Sequence, residues 1–110
     1  MPLIITHGWP STFFELLKII PPLTDPASHG GDPADAFDVV VPSLPGYGFS
    51  DRPQTRMDIP SMARLWHILM VDVLGYDTFG SQGGDWGACV SARLGFNYPS
   101  NVTGVHLNSD

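Results

Sequence analysis

The stretch "SQGGDWGA" at residues 81–88 sets one carboxylate, Asp85, between paired glycines and a tryptophan. Residues 83–87 fit a small-x-nucleophile-x-small pattern, in which a tight strand-to-helix turn lifts the central side chain clear of the sheet. Gly83, Gly84 and Gly87 suit such a turn, because strained and crowded backbone leaves little room for larger side chains. A helix starting at Trp86 would present its positive N-terminal end to Asp85. A carboxylate, with an ordinary pKa of about 3.9, is ionised at neutral pH and attacks without a base to deprotonate it. That property suits displacement at saturated carbon, giving an alkyl ester that water later cleaves. The same residues also read as a plain turn, since Gly-Gly-Asp is common in turns and Asp is among the best helix N-caps.

A second stretch, "ITHGWP" at residues 5–10, bears on the choice. Around a nucleophile turn of this kind, one oxyanion donor is the N–H of the following residue, here Trp86. The other comes from a loop after an earlier strand, often carrying an HG pair. His7 and Gly8 supply the pair, the N–H of Trp9 takes the donor position, and Pro10 fixes the turn. Alone, "HGWP" is a plain strand-to-helix turn, with His7 best read as structural. Together the two motifs are far more specific than either is alone.

The elements that would position them follow from periodicity. Residues 3–6, "LIIT", and 37–42, "FDVVVP", read as strands buried on both faces. Phe13, Leu16, Leu17 and Ile20 keep a helical spacing behind a Thr12–Glu15 capping box, and Pro21 and Pro22 are expected to stop that helix. Residues 23–36 form a long polar loop. Residues 60–74 give the clearest helix, with Met62, Leu65, Trp66, Leu69, Met70 and Val73 in phase, Pro60 in the first turn and Gly75 at the end. A weaker strand follows at 77–82, then a helix at 86–98 with Cys89, Ala92 and Phe96 on one face, then a last strand at 102–108. The alternation predicts a single α/β domain over 1–110, a mainly parallel sheet of about four strands with flanking helices. Such sheets bind ligands beyond the carboxyl ends of their strands. "HGWP", "PGYGFS" and "GGDWG" each follow a predicted strand, so all three fall on one rim.

Composition narrows the function classes. Five basic residues against eleven acidic ones leave a net charge of −6, which argues against nucleic-acid binding. No apolar run approaches the roughly 18 residues of a membrane span, and the start has no basic segment of a signal peptide, so a soluble, cytoplasmic chain is expected. The single cysteine, Cys89, excludes an internal disulfide. His29 and His67 have no metal-like spacing to each other or to Cys89, so no metal or cofactor is expected.

"THGWPSTFFELLKIIPPLTDP", "VVVPSLPGYGFSDRP" and "SQGGDWGACVSARLGFNYPSNVTGVHLN" closely resemble the core of α/β-hydrolase-fold epoxide hydrolases, particularly the microsomal-type branch. The resemblance spans nearly the whole chain. It implies a partial α/β-hydrolase fold, an epoxide as small-molecule substrate, Asp85 as the nucleophile, and the N–H groups of Trp9 and Trp86 as the oxyanion hole. Tyr47 and Phe49 resemble residues that pack around the site, and read equally as core aromatics beside a turn. In the family the general-base histidine, and usually its acid, follow the nucleophile near the C-terminus. Here only His106 follows Asp85, inside a predicted strand, and reads as structural. Asp110, where some relatives carry the acid, is the last residue. The tyrosine-bearing lid and the outer strands of the family sheet have no counterpart in these residues. The expectation is therefore a segment holding the nucleophile and oxyanion half, inactive in isolation, with uncovered sheet edges that leave a route to self-association. Two alternatives stand beside it. A haloalkane dehalogenase shares the Asp nucleophile but usually has Asn or Glu where Trp9 stands. A non-catalytic fold fragment or interaction module would keep the turn merely as a turn.

Overall fold

A computed structural model describes residues 1–7, 16–42 and 58–108. Among these residues four strands form one sheet: β1 (Pro2–Thr6), β2 (Asp38–Val40), β3 (Phe79–Gly84) and β4 (Val102–Asn108). They lie in the order β2-β1-β3-β4, and every pairing is parallel. Among the described residues three helices connect them: α1 (Ile20–Thr24), α2 (Ile59–His67, continued by a wider π turn over Ile68–Val73) and α3 (Trp86–Asn97). The chain steps from β1 outward to β2, then returns past β1 to β3. That reversal puts the topological switch point between β1 and β3, where open α/β sheets bind their ligands.

The alternating faces of the strands explain the packing. Ile4 of β1 and Phe79 of β3 turn to the side carrying α2 and α3, where they are buried with Ala63, Trp66, Met70, Val90 and Leu94. Leu3 and Ile5 turn to the other side, toward Ile19, Pro22 and Leu23 around α1. Phe79 is fully buried in the middle of this cluster. Phe79→Ala should lower the unfolding free energy by about 3–5 kcal/mol, read from a urea titration. A loss under 1 kcal/mol would mean that the helices do not close over the sheet as described.

The sequence expectations held to within a residue for β1, α3, β4 and the start of α2, and differ at other elements for identifiable reasons. Pro21 and Pro22 do not end a helix: they lie in the first turn of α1, where a missing N–H costs nothing because that N–H has no intrahelical partner. Of the helix expected before them, residues 16–19 form a turn closed by the Ile19 N–H on the Leu16 carbonyl at 3.2 Å, and residues 8–15 lie outside the described ones. The polar loop carries two short 3₁₀ turns, Pro26–His29 and Pro33–Asp35. Strand β2 is shorter than expected, and β3 is displaced two residues so that it runs through Gly83 and Gly84 up to Asp85. The expected helix over 60–74 changes winding at Ile68: the N–H of Leu74 bonds the carbonyl of Leu69, five residues back, at 2.9 Å. The extra residue per turn breaks the 3.6-residue phase, and Val73, in phase with the core by simple counting, is exposed. Gly75 closes the element at φ 78°, as expected. In α3 the face with Cys89, Ala92 and Phe96 is the exposed one; the buried face is Gly87, Ala88, Val90, Ser91 and Leu94.

Among the described residues no helix is long and apolar enough to cross a membrane, and no cluster of three or more His, Cys, Asp or Glu is placed to hold a metal ion.

Candidate active site

Asp85 joins β3 to α3 with φ 54° and ψ −119°. It is the one non-glycine residue with positive φ among the described residues. For a side chain with a Cβ such backbone costs on the order of 1–3 kcal/mol, and it persists only where the surroundings force it. The forcing is visible on both sides. A Cβ on Gly83 would overlap the carbonyl of Gly87, and a Cβ on Gly87 would overlap the carbonyl of Thr6. Both glycines are therefore required by backbone packed on backbone. A Cβ on Gly84 would be tight as well, 3.0 Å from the Asn108 carbonyl oxygen, which also accepts the N–H of Asp85 at 3.3 Å.

The choice between helix cap and reactive group turns on the Asp85 side chain. Asp85 holds the N-cap position of α3, yet its carboxylate makes no capping hydrogen bond. Asp58 provides the contrast within the same chain: at the start of α2 its carboxylate accepts the N–H of Ser61 at 2.9 Å, on ordinary extended backbone. A residue retained only to cap α3 would adopt the second geometry. Asp85 instead is exposed at the end of the strand, on strained backbone, at the helix end whose dipole favours negative charge.

Two described segments flank the turn, the end of β1 and the start of α3. Register pairs Thr6 with Gly83, so the end of β1 stands beside the turn at the switch point. His7 is buried there, 1% exposed, and its carbonyl is 2.9 Å from where a Gly87 Cβ would be. Trp86 begins α3 with a half-exposed indole, and the first N–H groups of a helix have no intrahelical acceptor. Gly8, Trp9 and Pro10, along with Tyr47, Phe49 and Asp110, lie outside the described residues.

Of the other three histidines, His29 is exposed in a 3₁₀ turn of the polar loop, and His67 and His106 are occupied elsewhere or stand apart. His67 stacks on Tyr98 with ring centroids 3.9 Å apart, and its Nε2 lies 3.1 Å from Asn101 Oδ1. His106 is on β4 beside Gln82, on the sheet face away from α3, where both line a groove with Leu3, Ile5 and Phe37. Two buried polar contacts near the turn have no signature in the sequence. Trp66 Nε1 donates to Thr6 Oγ1 at 3.0 Å, and the hydroxyls of Ser81 and Ser91 meet at 2.7 Å. The second ties α3 to β3 across the turn. Ser81→Ala would strand a buried Ser91 hydroxyl and should cost about 1–3 kcal/mol in a denaturant titration, while the double change to alanine should recover part of it.

The whole chain, residues 1–110, matches the α/β-hydrolase fold family. It belongs to that family. Within the α/β-hydrolase fold, it is similar to rabbit (Oryctolagus cuniculus) epoxide hydrolase 1, 49% identical over 108 residues that cover 97% of this chain and 24% of the relative. Juvenile hormone epoxide hydrolase 2 of the flea Ctenocephalides felis is 39% identical over 98% of the chain and 23% of its own length. The crystal structure of juvenile hormone epoxide hydrolase from the silkworm Bombyx mori superposes with a TM-score of 0.85 at 33% identity, covering 99% of this chain and 28% of that one. The chain thus spans about a quarter of the length of these α/β-hydrolase relatives.

Proposed function

We propose that residues 1–110 are the nucleophile-bearing part of an epoxide hydrolase, with Asp85 as the attacking group. One observation carries this reading: Asp85 holds strained backbone at the sheet's switch point with a carboxylate that caps nothing. Similarity to proteins named as epoxide hydrolases supplies the substrate class. One Asp85 oxygen attacks an epoxide carbon, the ring C–O bond breaks, and the released alkoxide takes up a proton. The product is a hydroxyalkyl ester of Asp85. Water then adds to the ester carbonyl, the N–H groups of Trp9 and Trp86 receive the oxyanion, and collapse gives a diol and restores the carboxylate. His7, Gly8 and Pro10 are assigned, from the motif alone, to the support of the Trp9 donor. Tyr47 and Phe49 are assigned to the wall of the substrate pocket.

The second step needs a base to activate water. His67 is held by Tyr98 and Asn101, and His106 stands across the sheet, so residues 1–110 alone should stop at the ester. In a protein of the length of its relatives, diol formation from a terminal epoxide, abolished by Asp85→Ala, is the expected result. Halide release from an alkyl halide without diol formation would make it a dehalogenase instead. Diol made at a steady rate by residues 1–110 would overturn the claim that this part stops at the ester.

The edge strand β4 and the apolar groove of about 520 Å³ beside Leu3, Ile5 and Leu23 leave the isolated chain open to self-association. Sedimentation should show a mass rising with concentration; a concentration-independent monomer would contradict this.

A further inference from the structure

We infer that Thr6 and Trp66 are positioning residues for the Asp85 turn, acting through the hydrogen bond between them. The inference rests on the reading of Asp85 as nucleophile, and adds to it a pair that fixes the nucleophile against the end of β1.

The contacts form a short chain. Trp66 is the next-to-last residue of α2, 6% exposed, and Thr6 is the last residue of β1, 1% exposed. The indole N–H reaches the threonine hydroxyl across the buried layer between helix and sheet at 3.0 Å. Thr6 in turn carries the carbonyl against which Gly87 packs, with no room for a Cβ between them. Gly87 is the second residue of α3, two after Asp85, and Thr6 is also the register partner of Gly83 on the other side of the turn. Thr6 therefore touches the turn from both flanks, and the strand that ends with it leads directly into residues 8–10, which carry the second proposed donor.

Burial makes the bond decisive for orientation. A buried indole N–H or hydroxyl without a partner is costly, so the pair holds the end of β1 at one height relative to α2. Trp66 packs into the same cluster as Ala63, Met70 and Val90, and so is itself immobilised. Displacing β1 along its axis would carry the Thr6 carbonyl into Gly87 or away from it, and the Asp85 backbone would follow. Attack geometry is sensitive on this scale, since a misplacement of about 1 Å can cost about 10²-fold in rate.

Thr6→Val keeps the branched shape and removes only the acceptor; Thr6→Ser keeps the acceptor; Trp66→Phe removes the donor from the other end. Val90→Ala is the control, a buried change in the same core with no part in the bond. In the 110-residue chain, two readouts are compared: the rate at which excess propylene oxide adds to Asp85, and the amide shifts of residues 83–88 in a ¹H–¹⁵N spectrum. Thr6→Val and Trp66→Phe should each slow addition at least tenfold and move the Gly83, Asp85 and Gly87 amides. Thr6→Ser should remain within twofold of the parent, and Val90→Ala should lose stability without losing rate. Addition by Thr6→Val within twofold of the parent, or slowed no more than by Val90→Ala, would overturn the inference. If the parent itself adds no epoxide, the nucleophile reading fails, and the amide shifts judge the pair separately: movement on Thr6→Val that Thr6→Ser does not reproduce supports positioning, and unmoved amides overturn it.

Discussion

Gly87→Ala is expected to be among the most damaging single-methyl additions in the chain, lowering the unfolding free energy by at least about 3 kcal/mol. Its new Cβ would overlap the carbonyl oxygen of Thr6, would be 2.8 Å from the Thr6 carbonyl carbon, and 2.9 Å from the His7 carbonyl oxygen. All three are backbone atoms of a sheet strand and its end, so relief requires moving α3 off β1. Gly83→Ala should behave alike, because its Cβ would fall on the Gly87 carbonyl and 2.9 Å from the Ala88 nitrogen. Two other glycines calibrate the expectation. At Gly95 the nearest atom to a new Cβ is Val105 Cγ2 at 2.8 Å, the end of a side chain on an edge strand that can give way. At Gly104 nothing lies within 4 Å. Both alanine variants should stay within about 1 kcal/mol of the parent. Urea midpoints at unchanged slope report all four; equal costs at Gly87 and Gly104 would mean that the turn is not built as described.

The second expected result concerns strain. Asp85→Gly should raise the stability of the chain by about 1 kcal/mol or more while removing all covalent chemistry at the site. Positive φ is penalised for aspartate and free for glycine, and the carboxylate offsets none of that penalty by capping the helix. A residue that strains its own fold while its side chain makes no capping bond has the signature of a functional group, since stability and activity trade against each other at such positions. Asp85→Asn separates the two effects: it retains the backbone strain and should leave stability within about 0.5 kcal/mol, yet abolish addition of an epoxide. If Asp85→Gly instead destabilises the chain, the carboxylate has a structural role and its assignment as nucleophile weakens.

Much of this was legible locally. The switch from apolar β-branched runs to helical spacing set out the alternating order, and a parallel sheet followed from it. The GGDWG turn was legible because its requirements, small residues either side of a carboxylate between strand and helix, are met by adjacent residues. What the sequence could not supply was geometry that depends on partners far along the chain. The two meanings of Pro21 and Pro22, stopping one helix or opening another, are identical in sequence; the turn at residues 16–19 decided between them. The widened winding after Ile68 has no composition signal, because Leu69 and Met70 suit either winding. Thr6 and Trp66 stand sixty residues apart, and each looks like an ordinary core residue until the sheet and α2 are assembled. Asp85 itself was ambiguous between cap and nucleophile on sequence alone. Its dihedral angles and unused carboxylate removed the ambiguity about capping.

The most direct measurement is peptide-mapped mass spectrometry of the 110-residue chain after incubation with excess propylene oxide at neutral pH. Cys89 is the built-in competitor, an exposed thiol one turn beyond Asp85 on the same helix. An adduct on Asp85 is an ester, which hydroxylamine releases; an adduct on Cys89 is a thioether, which it does not. One epoxide mass is expected on the peptide spanning Asp85, released by hydroxylamine, retained in Cys89→Ala and absent from Asp85→Asn. An adduct confined to Cys89, or one on Asp85→Asn that matches the parent, would contradict it.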